Sequence, residues 1–254
     1  MQSNNWVHVL GVKIHNSSQA DAIALIESWL LKSDLSRSVF LVNAHTLNLA
    51  ADDTQFKTVL TTANRVFGDG TGVRWAARLR GTRIIDNLVG TDLIPRLFTD
   101  TANRGYRYFL LGANEDTIAR AAKKCEATFP GWNLAGYHHG YADQAQTPGL
   151  LEQINSAQPH LLLVGMGNPL QEEWIDQHQG QLRVPVCVGV GGLFDHWAGN
   201  IERAPAWVRR QGFEWFHLML QQPHKWRRYL LGNPKFLLRI VRELPKDLAL
   251  SSQN

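Results

Sequence analysis

Three segments of this chain have a continuous apolar stretch that ends in a glycine turn. They are YRYFLLG, HLLLVGMG and VPVCVGVGG, and helical patterns follow the first two as NEDTIARAAKKCEATF and NPLQEEWIDQH. Strands that are apolar along their whole length are buried on both faces, which is typical of parallel sheets covered by helices. The sequence therefore predicts an α/β fold with a Rossmann-like parallel sheet and helices on both faces.

Further elements are predicted in the first half of the chain. We expect a strand at 6–14, a helix at 18–32 capped by Ser17 or Ser18, and a strand at 38–43. A helical stretch then runs to about Ala63, and two more helices are predicted at 73–80 and 91–102.

Six glycines fall at the ends of the apolar strands, where such sheets bind ligands. Any one of them can let backbone amides approach a phosphate or can simply form a tight turn. Three glycine turns in one sheet favour a nucleotide-type ligand. The dinucleotide fingerprint is missing, because Leu170 takes the place of its third glycine, and there is no P-loop. The six are Gly112, Gly165, Gly167, Gly189, Gly191 and Gly192.

Polar residues follow the same strands. Asp69, between two glycines and before a helix, is either a turn residue or a general base that takes a proton from a substrate hydroxyl. Asn43 and His45 end the second strand and form a site, unless Asn43 only caps a helix. Gln171, in a first helical turn, contacts a sugar or base or is an ordinary surface glutamine.

Positive charge is concentrated at the end of the chain. Residues 200–254 hold ten Lys or Arg and four acidic residues, whereas the whole chain has 26 and 22. We predict a core over 1–200 and a basic helical appendage over 201–254. The chain has no Asp-x-Asp pair for a divalent metal, so a diphosphate would be met by Arg, Lys and backbone amides.

The pattern KFLLRIVRELPK predicts a basic amphipathic helix over 235–246. Two interpretations remain open: it lies in a membrane interface, or it docks on the core. No signal-peptide pattern or spanning apolar window occurs, so we expect a cytoplasmic protein that is soluble or peripheral. The apolar face of the helix predicted at 235–246 consists of Phe236, Leu237, Ile240, Val241 and Leu244.

The motifs taken together resemble the WecG/TagA/CpsF bacterial glycosyltransferases over most of the chain. The resemblance is carried in order by NAHTLNLA, DGTGVRWAARLRG, NLVGTDLIPRLF, GMGNPLQEEW, RAPAWVRRQGFEW and QQPHKWRRYLLGNPKF. It implies that a sugar passes from a UDP-sugar to an undecaprenyl-diphosphate-linked saccharide, inverting the anomeric centre without metal or cofactor. It also implies an appendage that closes over the site and helps membrane attachment.

The resemblance assigns roles to particular residues. Asp69 matches the general base, Asn43 an acceptor-site residue, and Arg227 and Arg228 arginines that meet the diphosphate. Gln171, Tyr141 and Asp195 match positions near the donor and its nucleoside. Together with the strand-end glycines Gly112, Gly165, Gly167 and Gly191 they form the predicted donor site.

Two positions depart from the pattern of many family members. Leu41 stands where many have Thr, and Asn87 stands where many have Arg. Both changes remove polar or cationic groups near the expected pocket, so they bear on substrate identity more than on reaction class. The candidate donors are UDP-glucose, UDP-N-acetylmannosamine and UDP-N-acetylmannosaminuronic acid. A glucosyltransferase of exopolysaccharide assembly, like the xanthan-pathway member, is one candidate.

The expected partners are the donor, the lipid-linked acceptor and the cytoplasmic face of the inner membrane. Nucleic acid is not expected, and a homo-oligomer is left open. Two other functions are considered. A nucleotide-cofactor oxidoreductase is disfavoured by the missing fingerprint, and a non-catalytic basic module would bind anionic lipid or nucleic acid.

Overall fold

An eight-stranded sheet forms the centre of the computed structural model, which describes residues 5–32 and 34–251. Side chains are described except those of Ala206, Arg210 and 244–251. The strand order is β1-β2-β4-β3-β8-β7-β5-β6, with only the β1/β2 pair antiparallel among the described strands. The predicted parallel sheet is confirmed. The strands are β1 (Trp6–Val9), β2 (Val12–His15), β3 (Arg37–Val42), β4 (Arg65–Gly68), β5 (Arg107–Gly112), β6 (Asn133–His138), β7 (Leu161–Gly165) and β8 (Val186–Gly189).

Helices cover both faces of this sheet, as predicted. One face packs against α2, α3, α4, α7, α8 and α13, and the other against α1, α5, α6 and α9. The helices are α1 (Gln19–Leu30), α2 (Ala44–Asp52), α3 (Thr54–Thr62), α4 (Thr71–Leu79), α5 (Gly90–Asp100), α6 (Glu115–Thr128), α7 (Thr147–Ser156), α8 (Leu170–His178), α9 (Leu193–Trp197), α10 (Ala206–Gln211), α11 (Glu214–Gln221), α12 (Trp226–Leu230) and α13 (Gly232–Ser251).

The strand predicted at 6–14 is wrong in one respect, because it is a hairpin of β1 and β2. Leu10 and Gly11 both have positive φ, 52° and 78°, which suits a tight turn whose twist matches its strands. The buried residues move from odd positions, Val7 and Val9, to even positions beyond the turn. This change of phase marks the turn.

The predicted helical stretch to Ala63 is two helices. Asp53 separates α2 from α3, and its side chain caps α3 by accepting from the amides of Gln55 and Phe56 at 2.8 and 3.1 Å. Ser18 caps α1, as one of the two alternatives predicted. Strand β6 has no predicted counterpart, because this edge strand is only partly buried and lacks a continuous apolar run.

The C-terminal helix α13 docks on the core, as one of the two interpretations of this segment predicts. Phe236 and Ile240 are 1% and 0% exposed and belong to the same apolar cluster as α2 and α4. Arg239 donates to the Asn48 carbonyl at 2.8 Å and pairs with Asp52. Part of the basic charge therefore fixes the helix. The Leu244 side chain lies outside the described residues, and the boundary near residue 200 stays a prediction.

The far end of α13 reaches the N-terminal hairpin. Glu243 accepts from the Leu10 amide at 3.1 Å and pairs with Arg80. No helix within the described residues combines the length and apolar character needed to cross a bilayer.

Candidate active site

A cavity of about 820 Å³ lies at the carboxyl ends of β3, β4, β7 and β8. Strand β3 lies between β4 on one side and β8 on the other. The order in which strands are added to the sheet therefore reverses next to β3, as it does at the ligand sites of open α/β sheets. The appendage, including helices α10 to α13, forms the opposite wall. Its lining residues include Arg209, Glu214, Trp215, Leu218, Lys225, Arg228, Tyr229 and Leu237.

Asp69 follows β4 directly and lines this cavity. Its amide donates to the Val42 carbonyl at 2.8 Å, which continues the pairing of β3 with β4. The next amide, of Gly70, donates to Asn87 Oδ1 at 2.6 Å, and Gly70 has a φ of +89°. The loop that carries the carboxylate is therefore held on both sides.

The surroundings of Asp69 favour its protonated form. Burial raises its pKa from 3.8 to about 7, and the nearby Glu214 carboxylate adds to the rise. Arg228, Arg203 and a hydrogen bond from Asn43 act in the opposite direction. A carboxyl that titrates near neutral pH is well matched to accepting a proton from a hydroxyl.

Asn43 caps a helix, which is one of the two roles considered for it, and it also lines the cavity. Its Oδ1 accepts from the amides of His45 and Thr46 at 3.0 and 3.3 Å, so it caps α2. The same side chain hydrogen-bonds Asp69, so the cap also orients the carboxyl. His45 lines the cavity beside it, and burial together with Arg228 and Lys225 lowers its pKa to about 4. His45 is therefore neutral at neutral pH.

Arg203 of the appendage links α11 to the core through hydrogen bonds beside the cavity. Arg203 donates to Asp92 at 2.7 Å, to the Thr91 carbonyl at 2.8 Å and to Glu214 at 3.2 Å. Because Asp92 and Thr91 belong to α5 of the core, this network fixes the position of Glu214 near Asp69. No local sequence pattern points to Glu214, since its role depends on a contact between distant segments.

The two arginines predicted to meet a diphosphate are in different places. Arg228 lines the cavity, as does Lys225 three residues earlier. Arg227 is exposed, stacks 5.4 Å from the Trp226 ring and is absent from the cavity lining within the described residues. Arg227 and Arg228 are adjacent in α12, and adjacent residues of a helix point about 100° apart. Lys225 ends the short 3-10 turn Pro223–Lys225 before this helix, so its place in the cavity depends on that turn.

Lys225 and Arg228 lie near carboxylates without forming a direct ion pair: Asp195 acts on Lys225, and Arg228 acts on Asp69. Lys225 and Arg228 form no ion pair within the part of the chain that the structure describes. Burial and Arg228 lower the pKa of Lys225, while Asp195 raises it. Two unpaired cations in a cavity provide a site for an anion such as a diphosphate.

The glycine turns after β7 and β8 also line the cavity. Gly167 and Gly191 have φ of +81° and +56°, and a Cβ at either would meet open space. Gly165 lines the cavity as well. Gln171 is only 1% exposed, so it is not a surface residue, and its Oε1 accepts from the Gly191 amide at 2.9 Å.

Gly112 has a packing role that the prediction did not foresee. A Cβ there would lie 2.2 Å from the Gly165 carbonyl oxygen, so only glycine fits between β5 and β7. Among the described residues, Ala113 and Asn114 line the cavity where Gly112 was expected.

The two residues predicted near the nucleoside both line the cavity. Tyr141 is 74% exposed at its rim. Asp195, in α9, accepts from Asn200 Nδ2 at 3.1 Å.

The two departures from the family pattern have local roles. Asn87 holds the Asp69 loop through Gly70, as described above. Leu41 is 6% exposed and packs near Gly90, where a Cβ would lie 3.2 Å from its Cδ1. Both also line the cavity. Over the described residues, no group of three or more His, Cys, Asp or Glu is placed to hold a metal ion.

Comparisons with known proteins identify a family for this chain. The glycosyl transferase WecG/TagA/CpsF family matches residues 7–249. Similar proteins include N-acetylglucosaminyldiphosphoundecaprenol N-acetyl-beta-D-mannosaminyltransferases from three bacteria. That of Bacillus subtilis (strain 168) is 30% identical over 228 residues, covering 90% of this chain and 88% of the relative. That of Bacillus spizizenii (strain ATCC 23059 / NRRL B-14472 / W23) is 31% identical, covering 82% and 81%. That of Staphylococcus aureus (strain MW2) is 28% identical, covering 93% and 92%. The chain therefore belongs to the WecG/TagA/CpsF family of glycosyl transferases.

Proposed function

We propose that this glycosyltransferase moves a sugar from a UDP-sugar to a saccharide linked to undecaprenyl diphosphate, with inversion at the anomeric carbon. One observation carries the proposal: Asp69, a carboxyl with a pKa near 7, shares a cavity with two cations, Lys225 and Arg228, that have no ion-pair partner among the described residues. The relatives' names give a lipid diphosphate as acceptor carrier, which supports the same substrate class here.

In the proposed reaction, Asp69 takes the proton of the acceptor hydroxyl. The hydroxyl oxygen attacks the anomeric carbon, and the bond from that carbon to UDP breaks, leaving its electron pair on the diphosphate. A single displacement of this kind inverts the centre. Lys225 and Arg228 stabilise the negative charge that develops on the leaving diphosphate. Because this charge is greater in the transition state than in the bound donor, the two cations lower the barrier. The amide of Gly191 does not share this role, since Gln171 already accepts its hydrogen bond.

Among the three candidate donors, the relatives favour UDP-N-acetylmannosamine, because their names specify transfer of N-acetyl-beta-D-mannosamine. UDP-glucose and UDP-N-acetylmannosaminuronic acid stay in the comparison, since Leu41 and Asn87 alter the cavity wall. No cofactor is part of the proposal, and the diphosphate is met by side chains of the protein.

A donor panel tests this function. The purified protein is incubated with each UDP-sugar and a lipid-diphosphate-linked N-acetylglucosamine, in EDTA and in Mg²⁺. We expect product from UDP-N-acetylmannosamine at equal rates in both, because cations of the chain replace the metal. An Asp69→Asn protein provides the blank.

Each outcome of the panel has a meaning. No product from any UDP-sugar would overturn the proposal, and activity restored only by Mg²⁺ would overturn its metal independence. Product from UDP-glucose alone would keep the reaction and change the donor. A titration showing tight binding of a nicotinamide cofactor instead of UDP would favour the oxidoreductase.

We further propose that the appendage rests on a membrane surface. Half of the large apolar side chains that the described residues leave exposed lie beyond residue 200, which is about a fifth of the chain. They stand beside exposed cations such as Arg227 and Arg242. Apolar and cationic side chains together suit the interface of an anionic bilayer. The apolar residues are Trp207, Phe213, Phe216, Leu220, Trp226, Leu230, Leu231, Leu238 and Val241.

Vesicle sedimentation tests this attachment. Replacing Trp207 and Leu220 with Ser should weaken binding to vesicles rich in anionic phospholipid by about tenfold or more, since each buried side chain contributes roughly 1.5–3 kcal/mol. These residues are 65% and 62% exposed and lie outside the cavity lining. The matched control replaces Trp6 and Leu35, which are 46% and 66% exposed and lie outside the appendage. This control protein should bind vesicles as the wild type does. Equal losses in both proteins would contradict the proposed surface. The cytoplasmic side and a homo-oligomer stay predictions.

A further inference from the structure

A buried carboxyl, Glu172, lies behind the glycine turns of the cavity. It belongs to the first turn of α8 and is 0% exposed. Its Oε1 accepts from Gln171 Nε2 at 2.8 Å and from Asn168 Nδ2 at 2.6 Å. Asn168 and Gln171 line the cavity, whereas Glu172 is not among the described residues that do. Glu172 thus contacts the cavity wall from behind.

Burial of this carboxyl away from water has a cost in free energy. Desolvation raises the pKa of Glu172 to about 7, and the two amide hydrogen bonds act in the opposite direction. Within the described chain no Lys, Arg or His pairs with it, and its Oε2 has no hydrogen-bond partner. A buried acid without a cation contributes little to stability, and an apolar side chain of similar volume would avoid the desolvation cost.

The contacts of Glu172 explain what such a carboxyl can do there. A carboxylate only accepts hydrogen bonds, so it fixes which end of each neighbouring amide faces it. Gln171 turns its nitrogen to Glu172 and therefore presents its oxygen to the Gly191 amide. Asn168 turns its nitrogen to the same oxygen. One carboxyl oxygen thus joins the turn after β7 to the turn after β8.

We propose that Glu172 is a positioning residue for donor binding: through Gln171 and Asn168 it holds both turns in the arrangement that accepts the nucleotide diphosphate. The inference rests on the proposed function, because it presupposes a UDP-sugar at this edge of the sheet. Since Glu172 lies behind the wall, its loss should weaken ground-state and transition-state binding of the donor alike. The effect is then expected in KM more than in kcat.

Three substitutions of Glu172 and one control test this in the full-length chain. Glu172→Leu removes the acceptor, Glu172→Asp withdraws it by one methylene, and Glu172→Gln keeps an acceptor oxygen. The control, Glu173→Leu, changes a partly exposed acid in the same helical turn. UDP affinity is measured by calorimetry, kinetics with the preferred donor, and folding by thermal unfolding.

We expect Glu172→Leu and Glu172→Asp to raise the Kd for UDP and the KM for donor by about tenfold or more. Their kcat should stay within roughly threefold. Glu172→Gln and Glu173→Leu should bind UDP nearly as the wild type does. If Glu172→Leu fails to fold, Glu172→Asp decides, because it keeps the charge and nearly the volume.

The inference is overturned if the folded Glu172→Asp and Glu172→Leu proteins bind UDP normally, or if kcat falls while KM does not. A Glu172→Gln protein as weak as Glu172→Leu would also overturn it, since orientation of the amides would then not be the cause. If the wild type itself does not bind UDP, the proposed function fails instead.

Discussion

The Asp69→Asn protein is expected to turn over about 10²–10⁴-fold more slowly than the wild type, which is the usual contribution of a positioned base. The amide keeps the size of the side chain and can still meet Asn43, but it cannot take a proton from the acceptor hydroxyl. The measurement is single-turnover transfer with donor and acceptor both saturating, so that a change in binding does not enter the rate.

The pH profile provides an independent measurement of the same carboxyl. Because the base must be ionised and its pKa is raised to about 7, wild-type kcat/KM should fall as pH drops below about 7. Glu214→Gln removes a charge that raises this pKa, so the acidic limb should move to lower pH. A profile that stays flat down to pH 5 would contradict Asp69 as the base.

Folding of the Asp69→Asn protein can be separated from its catalysis. Between pH 3.8 and about 7 the native state keeps a proton on Asp69 that the unfolded chain has lost. Stability of the wild type therefore falls through this window as pH rises. Asp69→Asn removes this loss, and the variant should be at least as stable as the wild type at pH 8. An inactive variant that is also unfolded would leave the catalytic assignment without support.

Phe236→Ala is expected to lower the free energy of unfolding by about 3–5 kcal/mol, as is usual when a large aromatic is removed from a core. Phe236 is 1% exposed, and its ring lies 3.5 Å from where a Cβ on Gly72 would be. The effect would show that the appendage is part of the packed structure. Chemical denaturation measures this free energy, and a shift of the midpoint with an unchanged m-value would report the loss of stability.

The matched control for this prediction is on the same helix. Leu238 is 51% exposed, so Leu238→Ala should change the free energy of unfolding by no more than about 0.5 kcal/mol. Equal effects of the two substitutions would show that α13 does not dock as described. A loss confined to Phe236 would indicate that this helix covers apolar surface of the core.

The parallel sheet could be predicted because its central strands are apolar on both faces. Such a continuous apolar run is visible in the local sequence without knowledge of distant contacts. The hairpin of β1 and β2 is hard to predict, because apolar residues lie on both sides of its turn and Leu10 within the turn is apolar as well. Strand β6 was missed because it lies at the edge and is only partly buried. The docking of α13 could not be predicted, since an amphipathic helix suits a membrane and a protein core equally.

The site divides in the same way. The place of Asp69 and Asn43 in the cavity wall could be predicted, because each follows a strand at the edge where such folds bind ligands. Their chemical roles stay predictions. Arg227 is expected in the site from its position in a motif, but among the described residues Lys225 and Arg228 line the cavity and Arg227 does not. Glu214 and Glu172 have no local signal. Their roles depend on which residues the closed appendage and the buried turn bring near them.

The contact between Glu243 and Leu10 has a consequence for the order of folding. It joins residues 233 positions apart, and Asn48 bonds Gly232 across 184 positions. Contacts this distant in sequence form slowly, because a long loop must close before they contribute. On the ribosome, the sheet can form while the last helices are still unsynthesised. The wall that carries Lys225 and Arg228 is synthesised after the sheet, so the cavity takes its shape only once these distant contacts have formed.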